Sequence, residues 1–169
     1  LKKNSLLGNK IKQTQEDITT FSKKISSGKK ALTSNDLMII ARIESLILGK
    51  GLTDSLKRAD AYLDSGADGI MIHSKNKTPN EVINFARKFK KKYPKFSLVA
   101  VPTSYNKTFE KQLINEGFNI VIYANHLLRA SYPSMNKVAL EILKNKRTYE
   151  VEKKLLSINE ILKLIPGTI

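Results

Sequence analysis

Four short apolar runs recur along the chain at intervals of roughly 20 to 30 residues, and each predicts a buried β-strand. A run without polar alternation is typical of a strand that is covered on both faces, as in a parallel sheet. Glycines just before two of the runs, Gly66 and Gly117, mark points where a helix ends and a strand begins. The four predicted strands span residues 37–41, 69–72, 96–101 and 119–123.

Amphipathic segments between these runs predict helices. One helix is expected to begin at a cap formed by Thr53 and Asp54, and another at Thr78-Pro79. A third, shorter helix is predicted over residues 108–116. The side chains expected to face inward from the last two helices are Val82, Phe85, Ala86, Phe89, Phe109, Leu113 and Ile114. The alternation of strands and helices predicts an α/β architecture built on a parallel sheet.

The two ends of the chain differ from this strand–helix repeat. Residues 1–14 are polar and predict a loop, whereas 16–29 predict an amphipathic helix. Residues 126–144 predict a long helix interrupted at Pro133, and 157–164 predict a short one. An eight-unit barrel needs about 250 residues, so four strands indicate a small open domain or half a barrel. We divide the chain into a loop segment (1–14), βα units (15–125) and C-terminal helices (126–169).

The composition narrows the function classes. The net charge of +15 is typical of nucleic-acid or anionic-membrane binding. The basic residues, however, are mostly scattered lysines without interleaved aromatic residues, so we expect no nucleic-acid partner. No apolar run approaches the roughly 20 residues that span a bilayer, and we expect no membrane partner. The absence of cysteine excludes disulfides and is compatible with the reducing cytoplasm, where we expect the protein.

Polar side chains follow all four predicted strands. Because ligands lie beyond the carboxyl ends of the strands in parallel sheets, these residues are the candidate site. Their arginine, histidine and amide donors suit a phosphate or a carboxylate. The candidates are Arg42 and Glu44, His73, Thr103, and Asn125 with His126.

Each of these residues also has an ordinary structural interpretation. In that interpretation, Arg42 does no more than pair with Glu44, and His73 is a structural histidine. Thr103 can cap a turn, and Asn125 can satisfy loop backbone. Glu44 is the only carboxylate at these strand ends, whereas Mg²⁺ normally needs several, so the chain alone supplies no obvious metal site.

Four segments that contain these residues resemble the phosphoenolpyruvate mutase family of the isocitrate lyase superfamily. They are residues 40–45 (IARIES), 66–75 (GADGIMIHSK), 101–103 (VPT) and 123–130 (YANHLLRA). The order and spacing of Arg42 and His73 agree with the family pattern. The resemblance implies the C-terminal half of a (β/α)8 TIM-type barrel. It also implies a Mg²⁺-dependent isomerase that interconverts phosphoenolpyruvate and phosphonopyruvate, in which Arg42 and His73 hold the migrating phosphoryl group.

The first residues of the chain, Lys2-Lys3-Asn4-Ser5-Leu6, resemble the gating loop of these mutases. The resemblance implies that Asn4 contacts the phosphoryl group and that Lys2 and Ser5 support binding. Phosphonopyruvate hydrolases tend to carry threonine in place of this asparagine, so the mutase is the preferred interpretation. The alternatives are such a hydrolase, a carbon–carbon lyase for 2-oxo or 2-hydroxy acids, and a basic binding module without catalysis.

The first half of the family pattern has no counterpart in this chain. That half carries the acidic metal ligands, and Leu1 is not an initiator methionine. We therefore expect the chain to be part of a longer protein, to hold no metal ligands of its own and to be inactive alone. The resemblance also implies a homodimer or homotetramer built by exchange of the C-terminal helices.

Overall fold

The computed structural model describes residues 14–167, which form two compact units divided between Ala124 and Asn125. In the first unit, helices and strands alternate from α1 to β4 as the sequence pattern predicts. The order is α1 (Ile18–Lys30), β1 (Ile40–Ile43), α2 (Gly51–Asp64), β2 (Gly69–Ile72), α3 (Asn80–Lys92), β3 (Ser97–Ala100), α4 (Glu110–Asn115) and β4 (Ile120–Val121). The second unit contains α5 (His126–Asn145), α6 (Tyr149–Glu152) and α7 (Ile158–Lys163).

The four strands form one parallel sheet in the order β1-β2-β3-β4, which confirms the predicted α/β architecture. Their register aligns Ala41 with Ile70 and Ile70 with Leu98, and all three side chains are buried. Successive side chains of a strand point to opposite faces. The same face therefore also carries Ile43 and Ile72, and it packs into the hydrophobic core together with the helices.

The opposite face of the sheet carries Arg42 beside apolar side chains of the neighbouring strands. There the register aligns Arg42 with Met71, Met71 with Val99, and Val99 with Ile120. Glu44 and His73 come directly after β1 and β2, two residues beyond Arg42 and Met71, and so continue the same face by the alternation of side chains. The carboxyl ends of β1 and β2 thus place the candidate residues side by side.

The helices α1 and α3 agree with the sequence pattern. Asp17 caps α1 by accepting a hydrogen bond from the amide of Thr20 (2.9 Å). Helix α3 begins directly after Pro79, as predicted. Its predicted inner face, listed above as Val82, Phe85, Ala86 and Phe89, is fully buried. The amphipathic spacing was sufficient here because both helices are long enough to have one face on the core.

The prediction for the first strand was wrong by three residues at its start. Leu37 and Met38 precede β1 and are 59% and 50% exposed, although they are apolar. Pairing is set instead by Asp68, whose carboxylate accepts from the amide of Ile39 (2.7 Å). The amide of Asp68 in turn donates to the carbonyl of Ile39 (2.8 Å). As a result, Arg42 lies within β1 and not after it.

Three helix predictions also need correction. Helix α2 begins at Gly51, so Asp54 lies in its first turn and does not cap it. Of the three residues predicted to face inward from the helix over 108–116, only Leu113 is buried, whereas Phe109 and Ile114 are 80% and 60% exposed. The helix that forms there, α4, has six residues and therefore little surface to turn inward. Helix α5 continues through Pro133, since a proline removes one hydrogen bond and flanking residues can keep the helical path.

The second unit consists of helices with few buried side chains. Helix α5 has no buried residue, and Val151 of α6 is 1% exposed. Lys154 and Glu141 form an ion pair (2.7 Å) within this unit, and Ser157 begins α7 with a capping box. Among residues 14–167, no helix has the length and apolarity needed to cross a membrane.

The close approach of β2 to β3 gives a stability prediction. A Cβ atom at Gly69 would lie 2.5 Å from the carbonyl oxygen of Ser97 and 2.9 Å from Cδ1 of Ile40. Because a backbone oxygen in a paired strand cannot move aside, Gly69→Ala should lower the free energy of unfolding by about 1–3 kcal/mol. Denaturant titration followed by circular dichroism measures this change.

Gly28→Ala is the matched control. A Cβ at Gly28 would meet only Cδ1 of Ile39, at 3.2 Å, and this atom is the end of a flexible side chain. Alanine also favours the helix by about 0.5–1 kcal/mol over glycine. Equal stability losses for the two variants would contradict the register described above.

Candidate active site

Arg42 and Glu44 form an ion pair at the end of β1. The Nε atom of Arg42 donates to Oε1 of Glu44, and the two side chains are 40% and 23% exposed. The second carboxylate oxygen, Oε2 of Glu44, is buried and has no hydrogen-bond partner among the described residues. The pair therefore holds the guanidinium in place and leaves one carboxylate oxygen able to accept another donor.

His73 directly follows β2 and is only 2% exposed. Burial lowers the pKa of His73 below its ordinary value of 6.5, and the positive charge of Arg42 lowers it further. The charge of Glu44 and a hydrogen bond with the backbone of Val101 act in the opposite direction but do not outweigh these effects. The Nδ1 atom is buried and has no partner within the described part of the chain.

Together these residues form a small site with separated charges. Arg42 carries a permanent positive charge, whereas His73 is held neutral near pH 7. The unpartnered Nδ1 of His73 and Oε2 of Glu44 are buried polar atoms, and such atoms usually mark a missing ligand or neighbour. Chemically, the arrangement suits an anion that takes hydrogen bonds from Arg42 and interacts with the neutral imidazole.

Thr103 is connected to this group through the backbone that directly follows β3. Its amide donates to the carbonyl of Val101 (2.8 Å), the residue whose backbone is hydrogen-bonded to His73. The Thr103 side chain is half-buried in the turn that follows β3. The structure thus shows the turn that the sequence allowed, and a ligand contact of Thr103 stays a prediction.

The structure does not test the remaining predicted residues. Asn125 belongs to the second unit, where it precedes α5 with a left-handed backbone (φ 55°) and makes no capping bond with its side chain. Lys2, Asn4 and Ser5 lie outside the described residues. Their roles stay predictions.

Sequence reasoning missed three buried polar residues beside the site. Ser45 and Ser74, both 0% exposed, directly follow Glu44 and His73. Tyr105, in the segment after β3, is also 0% exposed, and burial raises the pKa of its phenol to about 12. The two serines could have been found in the sequence, because they directly follow strand-end residues. Tyr105 could not, because nothing in the sequence distinguishes an aromatic residue in a predicted loop.

The described residues do not form a metal site. Residues 14–167 contain no cluster of three or more His, Cys, Asp or Glu side chains that could hold a metal ion. Glu44 offers one free carboxylate oxygen, and Mg²⁺ requires an octahedral set of oxygen ligands. The Arg42 guanidinium next to Glu44 also opposes a cation at this point.

Curated relatives with two different activities match almost the whole chain. The phosphoenolpyruvate phosphomutase of Tetrahymena pyriformis is 36% identical over 163 residues, which are 96% of this chain and 53% of the relative. The phosphonopyruvate hydrolase of Variovorax sp. (strain Pal2) is 37% identical over 148 residues, which are 87% of this chain and 50% of the relative. The chain thus spans about half the length of the curated relatives it matches.

Solved structures give the same result for the fold. A phosphoenolpyruvate phosphomutase from Streptomyces platensis subsp. rosaceus superposes with a TM-score of 0.86 at 34% identity, over 96% of this chain and 55% of that one. A phosphonopyruvate hydrolase in complex with oxalate and Mg²⁺ superposes with a TM-score of 0.78 at 37% identity, over 92% of this chain and 55% of that one. This chain therefore has the fold of about half of these enzymes.

The family model for phosphoenolpyruvate phosphomutase matches residues 3–143, a range that contains α1 to α4, the whole sheet and most of α5. Arg42, Glu44 and His73 all lie inside it. On this evidence the chain belongs to the phosphoenolpyruvate phosphomutase family.

Proposed function

We propose that the protein containing this chain interconverts phosphoenolpyruvate and phosphonopyruvate. In this isomerisation the phosphorus–oxygen bond of phosphoenolpyruvate breaks, the enol oxygen becomes the keto oxygen, and a phosphorus–carbon bond forms at the methylene carbon. The observation that carries the proposal is the group formed by Arg42, Glu44 and His73 at the ends of adjacent strands. This group offers a fixed cation and a neutral imidazole to a phosphoryl group.

Arg42 supplies the permanent charge in this proposal. Phosphoryl transfer depends on positioning and on stabilising charge on the equatorial oxygens, which a guanidinium does with a rigid set of donors. The ion pair with Glu44 restricts the rotation of Arg42 and fixes the direction of its other N–H groups. The pair is partly exposed, so its own contribution to stability is modest, and orientation is its main effect.

His73 adds a group that responds to the phosphoryl charge. Because the pKa of His73 is lowered, its ring is neutral before the substrate binds. Its Nδ1 atom has no hydrogen-bond partner among the described residues. An incoming phosphoryl dianion favours the protonated ring, because opposite charges stabilise each other in a buried site. The imidazole would then donate a hydrogen bond at the moment when negative charge is present.

Mg²⁺ is part of the proposal for the whole protein, since the related hydrolase was crystallised with Mg²⁺ and oxalate. Its chemistry would be to neutralise charge on the substrate oxygens. Its ligands would have to come mainly from residues outside 14–167, because Arg42, Glu44 and His73 do not form a suitable set. The roles of these three residues concern the phosphoryl group alone.

The hydrolase is the second candidate, because a hydrolase relative is as similar as a mutase relative. Phosphorus NMR of the full-length protein, including any residues before Leu1, with phosphonopyruvate and Mg²⁺ separates the two reactions. We expect a phosphoenolpyruvate signal to appear. Inorganic phosphate as the main product would show a hydrolase, and no change in the spectrum would contradict both proposals.

In the same assay, Arg42→Ala and His73→Ala should each lower kcat by about 10²-fold or more, the usual cost of losing one preorganised donor to a transition state. Arg87→Ala is the control, because Arg87 forms an exposed ion pair with Glu116 (2.5 Å) away from the strand ends. It should keep kcat within about twofold. Full activity of Arg42→Ala in a folded protein would remove this site from consideration.

The protonation of His73 gives a second prediction, which does not depend on turnover. In an NMR titration of the full-length protein, His73 is assigned as the histidine signal that is missing from His73→Gln. The pKa of His73 should lie below 6.5. Arg42→Met should raise it and Glu44→Gln should lower it, since the first removes a positive and the second a negative neighbour.

The sign of the stability effect follows from the same shift. The unfolded chain binds this proton at a higher pH than the folded protein, so the free energy of unfolding should fall as the pH drops below about 6.5. His73→Gln should reduce that fall. A His73 pKa at or above 6.5, or responses to the two substitutions in the same direction, would contradict the electrostatic description of the site.

We further propose that the protein forms homo-oligomers through α5. Apolar residues recur on one side of this helix at helical spacing, and Leu128, Tyr132 and Met135 are 65%, 67% and 60% exposed. An exposed apolar face of this kind is typical of a protein–protein contact. The implied partner is a second copy of the chain, as the resemblance to the mutase family suggests.

Sedimentation analysis at micromolar concentration tests this proposal. Leu128→Glu and Met135→Glu should shift the full-length protein towards the monomer, because each places a charge in the apolar contact. Lys137→Glu introduces the same carboxylate on the opposite side of α5 and should leave the oligomer intact. A wild-type protein that sediments as a monomer would exclude the proposal.

A further inference from the structure

Ser45 connects the end of β1 to the first turn of α2. It directly follows Glu44, is 0% exposed, and its hydroxyl donates to Oδ2 of Asp54 (2.6 Å). The backbone of this turn is held as well, since the carbonyl of Ser45 accepts from the amide of Lys50 (2.8 Å). The residue next to Glu44 is therefore tied to the helix that follows.

Ser74 makes the equivalent connection at the end of β2. It directly follows His73, is 0% exposed, and its hydroxyl donates to Oε2 of Glu81 (2.6 Å) in the first turn of α3. The hydroxyl oxygen of Ser74 also accepts from the amide of Asn76 (3.1 Å). Two neighbouring strands thus end in the same arrangement: a candidate site residue, a buried serine, and a carboxylate at the start of the next helix.

Both bonds have the features of strong, fixed contacts. A hydroxyl that donates to a carboxylate at 2.6 Å makes a charge-assisted hydrogen bond, which is shorter and stronger than a neutral one. The first turn of a helix favours a carboxylate, because unpaired amides and the helix dipole lie there. Asp54 and Glu81 are therefore rigid acceptors, and the serines are held against them.

Asp54 is itself fixed by a buried network. Arg58, which is 5% exposed, donates to Oδ2 of Asp54 (3.1 Å), to the hydroxyl of Tyr62 (2.8 Å) and to the carbonyl of Glu16 (2.9 Å). Burial raises the pKa of Asp54, but the hydrogen bonds from Ser45 and Arg58 lower it overall, so this acceptor stays ionised. The network joins the chain before α1, the end of β1 and α2.

We propose that Ser45 and Ser74 are positioning residues, which hold Glu44 and His73 in the geometry that phosphoryl binding requires. The inference rests on the proposed function of the site and adds the residues that orient it. Neither serine need touch the substrate. Each acts through the neighbouring residue, because fixing a backbone position next to a reactive side chain limits where that side chain can point.

The first test compares kinetics of the full-length protein. Ser45→Ala and Ser74→Ala should each lower kcat by about 10-fold, because small misplacements of site residues slow turnover strongly. KM should change by less than about threefold, since the binding groups remain. Ser55→Ala is the matched control: Ser55 is also 0% exposed, but its hydroxyl donates to the carbonyl of Gly51 (2.8 Å) inside α2. It should keep kcat within about twofold.

The second test separates positioning from stability and does not require turnover. Ser74→Ala should move the pKa of His73, measured by NMR, towards 6.5, because a ring released from its position is less buried and further from Arg42. Ser55→Ala should leave that pKa unchanged. If the wild-type protein has no activity but this difference is seen, the proposed reaction fails and the positioning role stands.

Two results would overturn the inference. One is a kcat within twofold of wild type and an unchanged His73 pKa in Ser45→Ala and Ser74→Ala. The other is a loss of activity that matches only the unfolded fraction measured in the same samples. If Ser74→Ala does not fold, Glu81→Gln weakens the same bond from the acceptor side and carries the same expectations.

Discussion

The parallel register of β1, β2 and β3 is the constraint on which the candidate site depends. It is held at Gly69, where the backbone of β3 comes so close that no side chain fits, and at Asp68, which pairs with the backbone of Ile39 before β1 begins. Because all three strands run in the same direction, their carboxyl ends meet at one edge of the sheet. A shift of one residue would turn Arg42 into the core and bring an apolar neighbour to the site.

The electrostatics of the site follow from this placement. Arg42 lies within β1 and not beyond it, so its guanidinium is near enough to His73 to lower the pKa of the ring. Glu44 offsets part of this effect and at the same time holds Arg42. A fixed cation beside a neutral histidine is a stable arrangement without ligand, since two adjacent positive charges in a buried place would repel each other. A bound anion would shift His73 towards the protonated form, because it stabilises both the guanidinium and a protonated ring.

The sequence predicted the parts of this structure that depend on local patterns. Long amphipathic helices such as α3 and the buried runs of β2 and β3 were correct, because spacing and apolarity decide them. The start of β1 was wrong, since it depends on Asp68, which is distant in sequence and contacts Ile39. The strand-end rule selected Arg42, Glu44 and His73, which the structure places side by side, but it did not select Ser45 or Ser74. The partners of these serines, Asp54 and Glu81, become neighbours only when each helix folds back onto the sheet.

Under the proposed function, Arg42 and His73 would suit mutase and hydrolase chemistry alike, and relatives of both kinds match this chain. In either reaction a phosphoryl group must be bound in a fixed position while its bond to carbon or oxygen is made or broken. Arg42 and His73 would suit that task. The two reactions differ in whether the phosphoryl group is transferred to water or between the oxygen and the methylene carbon of the substrate. Exclusion of water is a property of what covers the site, whereas the described residues form its base. We therefore expect the determinant of the outcome in a segment that covers the site, and the loop predicted at Lys2, Asn4 and Ser5 stays our candidate for it within this chain.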